Sequence, residues 1–303
     1  RYIYFELQVI NNILRHDIIY FRYDPKPILT HIVLAIFSFF KPIYIEHNGI
    51  YSKSLLTQKR PAEWLLHQIT FRWMQCFPNY HIAITREIQT YLKKNGLKKK
   101  KIFYAQNGYQ TPPTSPPKKP HKAVEHIKSL SKKNKPIGVF VGNGYVWHGI
   151  DQIKALFKDK DAYLVIIGSG YTSDENERDS NSKSNIIICG ELPHAIVQEI
   201  YPYCTFGIGT FKFDLNGLSQ SCTLKTRDYL CHGLPILVNH YDCAEDFEAL
   251  KPFIFSYYKS EKAFNQICTQ SPNHEQIQTL SQQALSWENV YQDVITHMQK
   301  NIS

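Results

Sequence analysis

Residues 223–238 read Thr223-Leu-Lys-Thr-Arg-Asp-Tyr-Leu-Cys-His-Gly-Leu-Pro-Ile-Leu-Val238. That order specifies a short helix, a stop and a buried strand. Thr223, Leu224 and Lys225 open the helix. Asp228 follows three residues after Lys225, so the two share a face. Gly233 lies just past the last apolar turn, where a left-handed cap is wanted. Pro235 blocks further helix, and residues 236–238 form an apolar run. A helix that opens with a cation and carries an acid one turn later suits a phosphate together with a hydroxyl-rich group. The stretch therefore points to a nucleotide-sugar site.

The rest of the chain supplies a frame for it. Strands are predicted at 18–21, 43–45, 81–85 and 102–104, with helices at 29–39, 64–77 and 88–95 between them. A proline- and lysine-rich segment, 111–120, interrupts the pattern as a stiff surface linker. Strands then recur at 137–141, 164–167, 186–188 and 206–208, with helices at 150–157 and 196–201. Residues 171–185 are polar and aperiodic and read as a surface loop. From 244 onward the pattern is mostly helical, ending in a helix at 287–298. Alternation of this kind implies parallel sheets covered by helices. The expected architecture is α/β with two Rossmann-like domains: 1–110, a linker and entry helix at 111–135, a second domain at 136–285, and a last helix at 286–303 that crosses back to the first. Ligands bind such folds in the cleft at the carboxyl ends of the strands. The chain opens within a helical pattern, with Ile3, Leu7, Ile10 and Leu14 on one stripe. A start lost upstream is expected.

Bulk composition narrows the chemistry. Of 303 residues, 43% are hydrophobic and 20% charged, which specifies a packed globular protein. Lys and Arg outnumber Asp and Glu by 35 to 26, giving +9. The excess suits nucleic acid, an acidic membrane surface or a phosphorylated substrate. The basic run at 93–101 reads first as a solvated loop and second as a patch for anionic lipid headgroups. No aromatics interleave it, so a stacking platform for nucleic acid is not visible. Seven cysteines, an odd number with no CxxC pair, imply a reducing, cytoplasmic setting without disulfides or a zinc site. The apolar run at 32–40 is too short to span a bilayer; it reads as a core helix or, second, as one that dips into a membrane surface.

Candidate site residues cluster at strand ends. Val139-Phe-Val-Gly-Asn-Gly-Tyr-Val-Trp-His-Gly149 joins a strand to a helix. There Gly142, Asn143 and Gly144 allow close backbone approach, the helix offers free amides, and His148 stands beside them. Ile166-Ile-Gly-Ser-Gly170 is a second such turn, for which no ligand is needed. Glu191 and Leu192, in Cys189-Gly-Glu-Leu-Pro193, suit a loop that holds a flat base. His47, in Glu46-His-Asn-Gly49, suits a sugar hydroxyl or a phosphate, or else a surface turn. Arg22 ends a strand, and Thr85 reads as a helix cap.

Taken together, these stretches resemble the retaining GT-B glycosyltransferases of family 4, also called glycosyl transferases group 1. Residues 141–151 are similar to the loop and helix that open the donor domain. Ile102-Phe-Tyr-Ala-Gln-Asn-Gly108 resembles the turn that closes the acceptor domain. Residues 189–193 resemble the base loop, and 223–238 the donor segment. The resemblance implies transfer of a sugar from a nucleotide-diphosphate donor to an acceptor hydroxyl with retention. A donor phosphate oxygen takes the acceptor proton, and no metal or other cofactor is needed. By similarity Asp228 takes the place of a glutamate that holds ribose hydroxyls, and Gln220 that of one that meets the sugar. Asn143 and His148 stand where the family carries Arg and Lys. The expected catalytic set is His47, His148 and Lys225. The expected donor contacts are Gly142, Asn143, Gly144, Glu191, Leu192, Gln220, Ser221, Thr223, Leu224 and Asp228. The expected partners are a nucleotide sugar, a glycan or lipid-linked acceptor in surface polysaccharide or glycolipid synthesis, and an anionic membrane face, with no nucleic acid. The glycine-rich opening loop of the family has no counterpart. Alternatives left open are a nucleotide-sugar epimerase, a non-catalytic partner subunit and a basic nucleic-acid binder.

Overall fold

A computed structural model describes residues 2–110, 121–171 and 185–301. The linker segment 111–120 and nearly all of the 171–185 loop lie outside the described residues. The chain divides into two compact units. One comprises Arg1–Gln106, Asp214–Gln220 and Val290–Ser303; the other comprises Asn107–Phe213 and Ser221–Asn289.

The first unit is built on four parallel strands in the order β1 (Ile19–Arg22), β2 (Ile43–His47), β3 (Tyr80–Ala83) and β4 (Ile102–Tyr104). Parallel neighbours need crossovers, and helices supply them: α2 (Ile28–Phe37) joins β1 to β2, α3 (Tyr51–Thr57) and α4 (Pro61–Gln75) join β2 to β3, and α5 (Arg86–Lys94) joins β3 to β4. Every residue of β2 is buried. Thr85 caps α5, its hydroxyl accepting from the Ile88 amide at 3.1 Å. The leading helix α1 (Tyr2–Arg15) carries the expected spacing but not as an inward stripe. Leu7 and Leu14 are exposed, while Ile13 and Glu6 face inward, the Glu6 carboxylate accepting from the Thr30 amide at 3.2 Å. The 32–40 run is likewise only half a core element. His31, Leu34, Ala35 and Ser38 are buried, and Ile36, Phe39 and Phe40 are exposed.

Distant segments complete this unit. The Glu87 carboxylate accepts from the Ser219 and Gln220 amides, and Gln220 Oε1 accepts from the Glu87 amide at 2.9 Å. The Tyr44 hydroxyl meets His297 Nδ1 at 2.6 Å, and the Tyr291 hydroxyl donates to Glu46 at 3.0 Å. The helix expected at 287–298 is broken into α12 (Trp287–Val290) and α13 (Gln292–Lys300). The break falls where the chain passes from one unit to the other.

The second unit carries a six-stranded sheet: β5 (Ile137–Val141), β6 (Tyr163–Ile167), β7 (Ile186–Gly190), β8 (Phe206–Ile208), β10 (Ile236–Val238) and β12 (Ile254–Ser256). The two-residue strands β9 (Gln220–Ser221) and β11 (Tyr241–Asp242) lie outside it. All pairs in the sheet are parallel, in the order β12-β10-β8-β5-β6-β7. The strand order reverses between β5 and β8, the Rossmann pattern. One face packs against α6 (Lys122–Ser131), α8 (His194–Ile200), α9 (Leu224–Cys231) and α11 (His274–Leu285), and the other against α7 (Ile150–Phe157) and α10 (Lys262–Thr269). Strand β12 corrects the expected helical tail. A three-residue run of Ile254, Phe255 and Ser256 carries no period of its own, and its pairing with β10 decides its conformation.

Candidate functional site

The opening stretch folds as its residues dictate. Gly233 adopts φ +82° at the end of α9, and a Cβ there would meet the His274 carbonyl at 2.4 Å. At the other end Thr223 makes no side-chain cap, which leaves the first-turn amides of α9 available. Lys225 reaches from that turn toward the end of β5. Its Nζ stands 4.1 Å from the centre of the Phe140 ring. That nitrogen is out of solvent and has no hydrogen-bond partner among the described residues. Ser221, just ahead of the helix, has a buried hydroxyl oxygen in the same condition. Burial lowers the Lys225 ammonium from 10.5 to about 7.

His148 completes this corner. Its Nδ1 donates to the Asn143 carbonyl, which leaves Nε2 as the lone-pair nitrogen of the neutral ring. Burial, then the Lys225 charge, lowers its pKa from 6.5 to about 4. Gly142 makes room for both: a Cβ there would lie 2.8 Å from Lys225 Nζ and 2.9 Å from His148 Cε1.

The glycine turns have a reason other than ligand contact. The Gly142 amide donates to the Ile167 carbonyl and the Gly144 amide to the Ser169 carbonyl, both at 2.9 Å. A Cβ on Gly168, which has φ +143°, would fall 1.8 Å from the Gly142 carbonyl oxygen. The loops after β5 and β6 lie backbone on backbone, so these amides are already engaged. The α7 amides also differ from expectation. The Asp151 carboxyl is held low first by Lys212 and further by its own amide and that of Gln152.

Asp228 stands apart from the lysine. Its carboxylate accepts from Tyr109 at 2.5 Å, Tyr201 at 2.6 Å and His194 at 3.2 Å, and His232 Nδ1, which bonds the Asp228 backbone carbonyl at 2.8 Å, lies 3.1 Å from it. Burial opposes its charge, yet these four groups hold it well below the usual carboxylate range. His194 follows the Glu191-Leu192-Pro193 turn at the end of β7, and its bond to Asp228 raises its pKa. Glu191 is exposed and Leu192 packs on the core.

The structure thus gathers Gly142, Asn143, His148 and Lys225, with Ser221, Thr223 and Leu224 along the same opening turn. It links Asp228 through His194 to the Glu191 turn. Gln220 and His47 belong to the first unit. His47 corrects the strand-end reading of a ligand-facing histidine: β2 continues through it, and it is buried with Nε2 at 3.0 Å from His81 Nδ1. Burial, then His81 and His67, push its pKa well below 6.5.

No family model and no curated protein matches the sequence. Solved structures do match the fold. Anabaena HepE in complex with UDP and glucose aligns with TM-score 0.60 at 12% identity, over 97% of this chain and 81% of that one. An E. coli trehalose-6-phosphate structure bound with UDP-2-fluoro glucose aligns with TM-score 0.65 at 12% identity, over 100% and 78%. WaaG, a glycosyltransferase involved in lipopolysaccharide biosynthesis, gives 0.57 and 12%, over 86% and 77%. These neighbours are GT-B glycosyltransferases.

The chain has the GT-B fold.

Sequence reading missed the partners that a GT-B second unit of this kind gives Asp228. Tyr109, His194, Tyr201 and His232 come from four separate places, and only His232, four residues on along one helix, was within reach of a spacing argument. Asn107 was read only as a turn. Its side chain donates to the Cys222 carbonyl at 2.5 Å and its amide meets Cys222 Sγ at 3.0 Å, which fixes the backbone beside Ser221.

Proposed function

We propose that this protein is a glycosyltransferase that moves a sugar from a nucleotide-diphosphate donor to an acceptor hydroxyl with retention. The observation that carries the reading is the Lys225 ammonium nitrogen, buried without a hydrogen-bond partner among the described residues at the uncapped start of α9. A buried cation costs free energy unless an anion joins it. The donor diphosphate is the anion proposed. Its oxygens take Lys225, the first amides of α9 and the Ser221 hydroxyl.

As the bond from the anomeric carbon to the leaving oxygen breaks, its electron pair moves to the diphosphate. Lys225 and the helix amides stabilise that charge where it develops. The acceptor oxygen forms the new bond on the same face, and its proton passes to a donor phosphate oxygen. His148, neutral in the empty site, accepts a proton or a hydroxyl at Nε2 as the anion enters. Asp228 acts by orienting His194 and raising its pKa beside the Glu191 turn, where the base and ribose are placed. The HepE structures and the E. coli trehalose-6-phosphate structure carry UDP or a UDP-sugar in their own complexes, which supports a nucleotide-sugar donor. A glycan or lipid-linked acceptor at the cytoplasmic membrane face is the proposed second substrate.

Calorimetric titration with UDP-glucose and with a GDP-sugar tests the site. Wild type is expected to bind one of them, and Lys225→Met to lose at least about tenfold in affinity, the effect of about 1.4 kcal/mol. Equal affinity in wild type and variant overturns the assignment.

A further inference from the structure

Several helices of the first unit bury polar residues and leave large apolar ones exposed. In α2, Thr30 and His31 face inward, as does Ser38 just beyond it, while Leu29, Ile36 and Phe40 face outward. These outward positions recur at helical spacing, and no charged side chain occurs between Lys26 and Lys41. Phe40 is 77% exposed, the largest fraction among the exposed large hydrophobic residues described. Helix α2 packs against both α1 and α4, and each of these repeats the arrangement. Leu7 and Leu14 project from α1, and Leu65 and Ile69 from α4, one turn apart. Ring contacts of 5.9 Å from Phe39 to Phe77 and from Phe77 to Trp73 join the end of α2 to the end of α4. Patches of this kind are uncommon on free soluble surfaces.

The rim of this face is basic. Arg15 ends α1 and is exposed, and Arg72 projects from α4. Lys41 closes the far end of α2 and donates to the carbonyls of Ile13, Leu14 and His16. Glu63, an acid on α4, is paired with Lys26 and Arg60. A protein partner would ask for hydrogen bonds across the face, about one per 100–200 Å². The apolar stripe offers none and is framed by cations, which is the chemistry of an anionic lipid surface. Among the described residues no helix is long and apolar enough to cross a membrane, so the contact is a lateral one.

We propose that the outward face of α1, α2 and α4 docks on an anionic lipid bilayer, with Ile36 and Phe40 entering the acyl boundary and Arg15 and Arg72 meeting headgroup phosphates. This deepens the membrane-side acceptor reading above and, for its biological meaning, rests on it. The binding itself is measured with neither donor nor acceptor, so the two readings fail separately.

The test is flotation of the full chain with vesicles of phosphatidylcholine alone and with roughly 30% phosphatidylglycerol added. Wild type is expected to float with the anionic vesicles, and Ile36→Glu and Phe40→Glu to lose at least about tenfold in partitioning. Tyr258→Glu, an exposed position in the second unit, is expected to leave partitioning unchanged. Phe40→Trp is expected to float like wild type, with indole emission shifting to the blue as vesicles are added. Absence of flotation by wild type overturns the proposal. So does equal flotation of wild type and both glutamate variants, which moves the contact to the 93–101 lysines. Sedimentation equilibrium in which wild type dimerises, Ile36→Glu does not, and neither binds vesicles assigns the face to a second copy and also overturns it. Vesicle binding without donor binding leaves the docking standing and removes the transfer reaction.

Discussion

Replacing Lys225 by Met separates a functional lysine from a structural one, because the two roles predict opposite changes in stability. The amine is held at about 7 rather than 10.5. Between those values the unfolded chain binds a proton that the folded chain does not. Stability therefore rises with pH across that window, and the penalty is complete below pH 7. At about 1.4 kcal/mol per pH unit the cost reaches about 5 kcal/mol. The stem of Lys225 is only half-buried, and solvent screening reduces this to roughly 2–4 kcal/mol. Lys225→Met is thus expected to unfold at higher urea at pH 7 while binding the donor more weakly. A second reading comes from proton uptake. A nucleotide-diphosphate sugar that restores the amine to an ordinary value of about 10.4 takes up about 0.9 proton at pH 8 and about 0.1 at pH 6. Calorimetry in buffers of different ionisation enthalpy measures that number directly. Donor affinity is expected to fall about fiftyfold from pH 7 to pH 9. A variant that is less stable than wild type, or proton uptake at pH 8 that is unchanged in Lys225→Met, refutes the reasoning.

Three further outcomes are expected. Asp228→Asn puts an amide in place of the buried charge that Tyr109, Tyr201 and His194 meet, so urea unfolding should show a loss of roughly 2–4 kcal/mol; His194, no longer paired to a carboxylate, should titrate lower by NMR, and an unmoved histidine resonance counts against its assigned role. In the first unit, burial holds His67 near 4 and His81 near 3. Below 6.5 the unfolded chain gains protons that the folded one refuses, so stability should drop by about 3 kcal/mol between pH 6.5 and 5 from these two alone, and equal urea midpoints at the two pH values would contradict it. Gly168→Ala would drive a methyl into the Gly142 carbonyl at a backbone angle suited to glycine; a loss of more than about 2 kcal/mol and weaker donor binding are expected, and wild-type behaviour in both assays would show that the two loops part easily.

The fold was legible where the sequence carried its own period. Strands such as 137–141 and the helix at 150–157 stand where periodicity puts them, because a buried strand between glycine turns needs nothing remote to define it. The stop at Gly233 was legible for the same local reason. Strand 254–256 was not, since its conformation comes from β10. Within the site, Lys225 and Ser221 were visible as residue types, but their buried, unpartnered state is a property of packing. The glycines of the β5 turn fit either a ligand cradle or a plain structural turn on sequence alone, and the structure gives them a loop partner and a lysine to clear. His47 was placed at a strand end by its neighbours Asn48 and Gly49. The hydrogen bond to His81, thirty-four residues away, could not be read from local pattern. The outward stripes of α1 and α2 show the same limit from another side: helical spacing reports that a face exists, not which way it turns.

The first unit draws on segments from both sides of the second. Tyr44 and Glu46 on β2 take their partners from His297 and Tyr291, and Tyr44 packs with Tyr291 and Val294 in one cluster. During synthesis from the amino end, those partners emerge after the whole second unit has been made. The second unit, whose sheet lies between residues 137 and 256, can therefore assemble first and wait. The strands of the first unit therefore wait for residues 290–301, with the buried ring of Tyr44 and the carboxyl of Glu46 uncovered until then. A ribosome that stops near residue 289 would release a chain with one sound unit and one open core, because the segment from Val290 onward closes the first unit.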